Sequence, residues 1–317
     1  MNGPLTAPRR EGSRPARRQL DGVLLLDKSL GLSSNQALQA ARRLYAAEKA
    51  GHTGTLDPLA TGLLPLCFGE ATKFSGELLN ADKRYVATVQ LGVTTDTADA
   101  EGEVLQRRPV AVGRAEVVAV LTAFVGAIDQ VPPMYSALKR DGKPLYQYAR
   151  AGIEVERAAR RVSIHALRLV GGDDALPDGR FVLEVHCSKG TYVRTLAADI
   201  GERLGCGAHL AALRRTGIGA LDVAAAHSLT ILEGLAGEAR DGLLLPADSL
   251  LSSLPEARLD VADAARLRQG RAVRWSGEEG SRLRVYDAEN RFIGVCRQFE
   301  DGWLQPLRLV AGPRVTN

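Results

Sequence analysis

Cysteine is scarce and scattered in this 317-residue chain: Cys67, Cys187, Cys206 and Cys296 form no C-x-x-C pair. That spacing excludes a zinc ribbon or a dithiol redox motif, and free thiols in a reducing cytoplasm are expected. Cys206 and His209 are spaced like two metal ligands, yet no second pair accompanies them, so no metal is expected. No apolar run approaches the ~20 residues of a membrane span. The N-terminus carries arginines without a hydrophobic stretch behind them, so it does not read as a secretory signal. A cytoplasmic protein with no membrane contact is expected. Excess charge is also lacking. The first 20 residues, with five arginines and one glutamate, account for the whole net charge of +4, and the remainder is neutral. Bulk charge therefore announces no nucleic-acid binder, and any such surface must come from local clustering. The length suffices for one large domain plus a small one.

What is present is concentrated in residues 51–62, Gly-His-Thr-Gly-Thr-Leu-Asp-Pro-Leu-Ala-Thr-Gly. Asp57 is the one acid in this stretch, amid three glycines and three threonines. The proline after it disfavours helical backbone at Asp57, and the glycines allow close approach of backbone or ligand. An apolar run, Leu63 to Phe68, follows as a buried strand. An isolated Asp-Pro is most often a plain turn; the whole string asks for more.

Upstream, residues 1–20 read as a disordered basic tail. A strand Val23–Leu26 and a helix from about Asn35 to Ala50 come next, with Gly51 as its stop. Asp57 is thus expected in a loop between a helix and a buried strand. Lys83-Arg84-Tyr85 heads a strand running to Leu91, and Asp96, Asp99, Glu101 and Glu103 form an acidic loop expected to avoid phosphates. A helix spans 114–125. From Lys139 to Arg161, seven basic residues face three acids, with Tyr146 and Tyr148 interleaved. That mixture suits gripping phosphate and stacking on bases, and equally suits a solvated insertion. Strands 162–170 and 181–187 lead to Lys189-Gly190-Thr191-Tyr192-Val193-Arg194 at a strand-to-helix junction. Amides and a cation concentrate there and suit an anion or carboxylate partner. After 251, a helix Ala257–Gln269 and short strands near 283–286, 292–295 and 304–309 read as a small β-rich domain.

The string 51–62 resembles the catalytic motif of the bacterial tRNA pseudouridine-55 synthases of the TruB type, Gly-His-Thr-Gly-x-Leu-Asp-Pro-x-Ala-Thr-Gly, with Thr55 at the variable place. The resemblance extends over about residues 20–310, through Lys83-Arg84-Tyr85, Met134 to Lys139, Lys189 to Arg194 and His209 to Arg215. It implies an α/β (α+β) fold, a mixed and largely antiparallel sheet flanked by helices. Residues 21–250 would be the catalytic domain with an RNA-gripping insertion at about 126–161, and 251–317 a PUA-like β-barrel. It also implies Asp57, Tyr85 and Arg194 as the catalytic set, with Tyr85 packing on the target base or assisting proton transfer and Arg194 placed against Asp57. Tyr192 and Leu213 would line the base pocket, and His52 would fill or support the vacated space in the RNA. Lys28 and Lys73 are read as phosphate contacts or surface lysines. The implied partner is the T-stem-loop of tRNA, bound by a monomer.

The implied chemistry breaks the N-glycosidic bond of a uridine, turns the uracil and joins C5 to the sugar. It imports no atoms and moves no electrons overall, so no cofactor is demanded. Asp57 would act as nucleophile or proton acceptor. Attack at the sugar, attack at the uracil ring and an eliminative glycal route all stay open. The rival reading is an RNA-binding or RNA-folding protein, a tRNA chaperone, without catalysis or in addition to it. Loss of residues 251–317 is expected to weaken RNA binding more than it slows saturated turnover.

Overall fold

The computed structural model describes residues 17–171, 176–299 and 301–311; most of the basic tail predicted at 1–20 lies outside them. A ten-stranded sheet dominates. Its main path runs His227–Ser228, Gly22–Lys28, Ala60–Phe68, Ala208–Ile218, Lys83–Leu91, Arg180–Cys187, Arg160–Val170, Gly126–Gln130. Pairing is parallel between the first two strands and between Ala60–Phe68 and Ala208–Ile218, and antiparallel elsewhere on this path. The fold is therefore the mixed, largely antiparallel α/β arrangement expected.

Two cores lie under the two halves of the sheet. Helix Ser34–Leu44 buries Ala37, Leu38 and Ala41 on Leu24, Leu26, Leu64 and Leu66. Helices Arg114–Thr122 and Val193–Arg203 bury Val117, Leu121, Leu196 and Ile200 on Ala87, Val89, Leu183 and Val185. Leu213 packs against both cores. It marks the seam where the halves join.

The first helix is shorter than its sequence predicts. It stops at Leu44, the chain turns at Ala46 with φ 49°, and Ala50–His52 forms an edge strand paired with Leu66–Phe68. Alanine-rich composition favours helix, but open hydrogen-bonding positions beside a buried strand outweigh propensity. Gly51 is thus a strand residue opposite Cys67 rather than a helix stop. Asp57 lies between two strands. Ala257 likewise belongs to a strand, Glu256–Arg258, and the helix begins at Val261 after the Asp260 cap.

The C-terminal part forms a second, five-stranded sheet, a curled half-barrel consistent with a PUA-like domain, around Leu267, Val285, Ile293 and Leu304. It does not stand apart. Val295 is buried in the cluster that holds Phe74 and Leu250, and the Phe292 ring meets Phe74 edge-on at 5.4 Å. Arg282 grips Glu77 through both carboxylate oxygens at 2.6 and 3.0 Å. Deleting 251–317 would therefore strip core as well as the second sheet. The expected result is a melting temperature lower by more than about 5 °C, read by circular dichroism. An unchanged melt would show these contacts to be dispensable.

Candidate active site

Ser34 fixes the Asp57 loop. Its buried hydroxyl donates to the Leu56 carbonyl at 3.0 Å and accepts from the Leu56 amide at 2.7 Å. The Gly31 amide donates to the Pro58 carbonyl at 2.9 Å. The loop is thus pinned to the start of the first helix on both sides of Asp57, whose side chain stays 41% exposed.

Across from it stands Arg194, in the first turn of Val193–Arg203, with a side chain only 7% exposed. Its Nε lies 3.1 Å from Asp57 Oδ2. Nη1 donates to the Thr97 carbonyl at 3.2 Å and to Asp99 Oδ2 at 3.3 Å, and Nη2 to the Tyr135 carbonyl at 2.7 Å. One guanidinium therefore joins the Asp57 loop, the acidic loop and the insertion. Asp99 is buried and is held by Thr97 Oγ1 at 2.6 Å and the Glu101 amide at 3.0 Å. The sequence places Asp99 only in an acidic loop expected to avoid phosphates; an ion pair between residues 95 positions apart leaves no spacing signal. Replacing Asp99 with Asn should free Arg194 to drift and slow turnover by up to about 100-fold. RNA affinity should change little, and single-turnover rates with filter binding read both.

Register explains the rest of the cleft. Leu213 lies opposite Ala60 and Ala87, and Arg215 opposite Gly62 and Tyr85. Gly62, at φ +97°, has no room for a Cβ, which would meet the Arg215 carbonyl oxygen at 2.3 Å. Tyr192 caps the Arg194 helix, and its backbone is clamped by buried Gln130, which accepts from the amide at 2.8 Å and donates to the carbonyl at 3.1 Å. Asp57, Tyr85, Tyr192, Arg194, Leu213 and Arg215 thereby line one cavity of about 240 Å³. Among the described residues around it, Asp57 is the single carboxylate, against Lys83, Arg194 and Arg215.

Burial pushes the Asp57 carboxyl above its ordinary value; Arg194 pulls it back, Asp99 adds to the rise and Lys28 opposes it. Burial also raises Tyr85 and Tyr192, which are therefore neutral phenols at neutral pH. Lys28 is buried, gives its Nζ to the Ser29 and Leu32 carbonyls, and falls to about 8 through burial. It acts on Asp57 by charge but does not line the cavity. His52 precedes the lining residue Thr53, is kept neutral by burial and by Arg215, and leaves Nδ1 without a partner.

Lys73 does not join them. It binds Glu70 at 2.6 Å and the Leu309 carbonyl at 3.0 Å, tying the helical turn Gly69–Phe74 to the C-terminal sheet. The insertion does reach the cavity, with Ser136 and Ala137 in its wall. Arg215 and Gln130 carry no sequence signal of their own, because strand register and a tertiary clamp give them their places. Asp82, His165 and His186 bring ligand atoms within 4.8 Å of one another and could approach a metal, but none of the three lines the cavity.

Three family models match consecutive parts of the chain. They are the TruB family pseudouridylate synthase N-terminal domain over 42–193, the tRNA pseudouridylate synthase B C-terminal domain over 194–252, and pseudouridine synthase II TruB, C-terminal, over 255–310. A Burkholderia mallei protein named tRNA pseudouridine synthase B is 61% identical over 304 residues, 94% of this chain and 96% of that one. One of the same name from Cupriavidus metallidurans is 56% identical over 305 residues, again 94% and 96%. Among solved structures, a Cbf5-Nop10-Gar1 complex shares the fold at TM-score 0.68 and 24% identity, covering 88% of this chain and 78% of that one. An H/ACA RNP bound to a substrate RNA containing 2'-deoxyuridine does so at 0.69 and 20%, covering 92% and 85%. On these matches the chain belongs to the TruB family of pseudouridylate synthases.

Proposed function

We propose that this protein isomerises a uridine in the T-loop of tRNA to pseudouridine, with Asp57 as the catalytic carboxylate. The observation that carries the reading is the Asp57–Arg194 ion pair at 3.1 Å, set in the wall of a cavity shared with two tyrosines and Leu213. A stacked base in folded RNA must be flipped out to reach such a cavity, at a cost of a few kcal/mol. Tyr85 and Tyr192 offer ring faces to the flipped uracil, and Leu213 an apolar wall. Lys139, Arg140, Lys143 and Arg150 on the insertion are exposed, and their charge suits the RNA backbone. The protein works as a monomer in the cytoplasm, where its substrate is made. The test is tritium release from tRNA labelled at uracil C5, with the product mapped. Release from the T-loop uridine supports the reading; tight tRNA binding without release would favour the RNA-folding role.

A pH dependence follows from Asp57. Its ionised form is the active one, and its pKa is raised above 3.8 by burial. The single-turnover rate should therefore fall on acidification with a midpoint above that value. Neutralising the cation with Arg194→Gln should move the midpoint higher still, since Arg194 lowers it. A midpoint at or below 3.8, unmoved by the substitution, would remove Asp57 from the rate-determining ionisation.

A further inference from the structure

Arg215 is the most conspicuous group that the proposed chemistry has not used. Its side chain is among the largest fully buried ones, with the residue 2% exposed. Nε donates to the Leu63 carbonyl at 2.7 Å, while Nη2 is buried with no partner. Among the described residues no carboxylate forms an ion pair with it. Its charge falls instead on Lys28, His52 and Lys83, disfavouring the cationic form of each. A buried, uncompensated guanidinium costs stability. That cost makes sense if the missing partner arrives with the substrate.

The position of the guanidinium says which part of the substrate that is. Nη1 lies beneath the catalytic loop, 3.9 Å from where a Cβ on Gly54 would stand. Tyr85 is its neighbour in strand register and favours its charged form. Arg215 thus forms the floor of the cavity. A flipped nucleotide enters base first, and its phosphates stay outside. The floor meets the uracil.

We propose that Arg215 is a catalytic residue whose guanidinium, in the wall of the cavity, donates to a carbonyl oxygen of the uracil and holds the negative charge that the ring acquires during rearrangement. The inference rests on the pseudouridine synthase reading and is indifferent to the route. When the C1'–N1 bond breaks, its electron pair goes to the uracil and spreads onto O2 and O4. If a carboxylate first adds to the ring, the displaced pair comes to rest on the same carbonyl system. The pair then returns to form the C5–C1' bond, the C5 proton leaves and N1 gains a proton. Charge that exists only midway is stabilised at low cost by a donor fixed beforehand in a dry site.

The test uses the full chain with Arg215→Gln and Arg215→Lys, beside wild type and Asp57→Asn. Tritium release under single-turnover conditions, filter-binding affinity for the same tRNA, and thermal melts are measured together. Arg215→Gln is expected to slow the chemical step by about 100-fold or more with affinity within about threefold. It should melt no lower than wild type without RNA, because a buried unpaired charge is gone. Arg215→Lys, which keeps the charge but loses the fork, should fall between. The inference is overturned by a Gln variant with a near wild-type rate, by a loss confined to affinity, which would make Arg215 a phosphate anchor, or by collapse of both variants in the melt, which would make it structural. A wild type that releases no tritium would instead fail the underlying reading, so the two failures are told apart.

Discussion

Asp57→Asn should abolish turnover, by about 10⁴-fold or more, while tRNA still binds and the fold persists. An amide can neither attack nor accept a proton in the way a carboxylate can, yet it fills the same space on a loop held through Ser34 and Leu56. Arg194 does not lose all its partners, since Asp99 and the Thr97 and Tyr135 carbonyls keep it in place. Stability should move the opposite way from activity. A carboxylate whose pKa is raised on folding costs the native state stability as pH rises from its unfolded value through its folded one, and that cost persists at neutral pH. The Asn variant escapes it and should melt at or slightly above the wild-type temperature. Tritium release, filter binding and a melt at pH 7 check all three. An Asn variant that turns over near the wild-type rate would end the assignment of Asp57, whatever else the cavity does.

The parts of this site that could be read in the chain are those carried by contiguous residues. The string around Asp57 is one uninterrupted loop. Tyr192 and Arg194 share a strand-to-helix junction, and Tyr85 stands at the head of a strand. The structure brings these into one cavity with Leu213. Asp99 was invisible as a site residue because its partner is reached only when the acidic loop lies beside Leu210, where Ala100 donates to the Leu210 carbonyl at 3.0 Å. Arg215 was legible as part of a matched segment but not as a cavity floor, which depends on parallel pairing with Gly62 and antiparallel pairing with Tyr85. The overlong first helix has the same origin. Local alanine content is a weak prior, and the edge of a buried strand decided the conformation of Ala50–His52. Lys73 shows the converse failure: a lysine near the motif in sequence was turned by the following helix toward the C-terminal sheet.

Arg194→Lys carries the second large effect, because the change keeps charge and removes geometry. The guanidinium meets four oxygens in different directions: it donates to Asp99 at 3.3 Å and to the carbonyls of Thr97 at 3.2 Å and Tyr135 at 2.7 Å, and it pairs by charge with Asp57 at 3.1 Å. A lysine ammonium places three donors at one point. It can stay near Asp99 or reach toward Asp57, but it cannot hold both and the two carbonyls. A carbonyl left buried without a donor costs about 1–3 kcal/mol, and Asp57 would lose the contact that fixes its direction. Turnover should therefore fall by about 100-fold or more, while tRNA affinity, which a side chain 7% exposed can scarcely touch directly, stays nearly constant. The acid limb offers a second reading of the same variant. The substituted ammonium would still oppose protonation of Asp57, so the limb of this variant should lie between those of wild type and Arg194→Gln. A rate loss with an unmoved acid limb would assign Arg194 to orientation. A shifted limb with nearly full rate at high pH would assign it to charge alone. The four-point contact predicts both changes together, and a Lys variant indistinguishable from wild type in rate and limb would show that the ion pair has no part in catalysis.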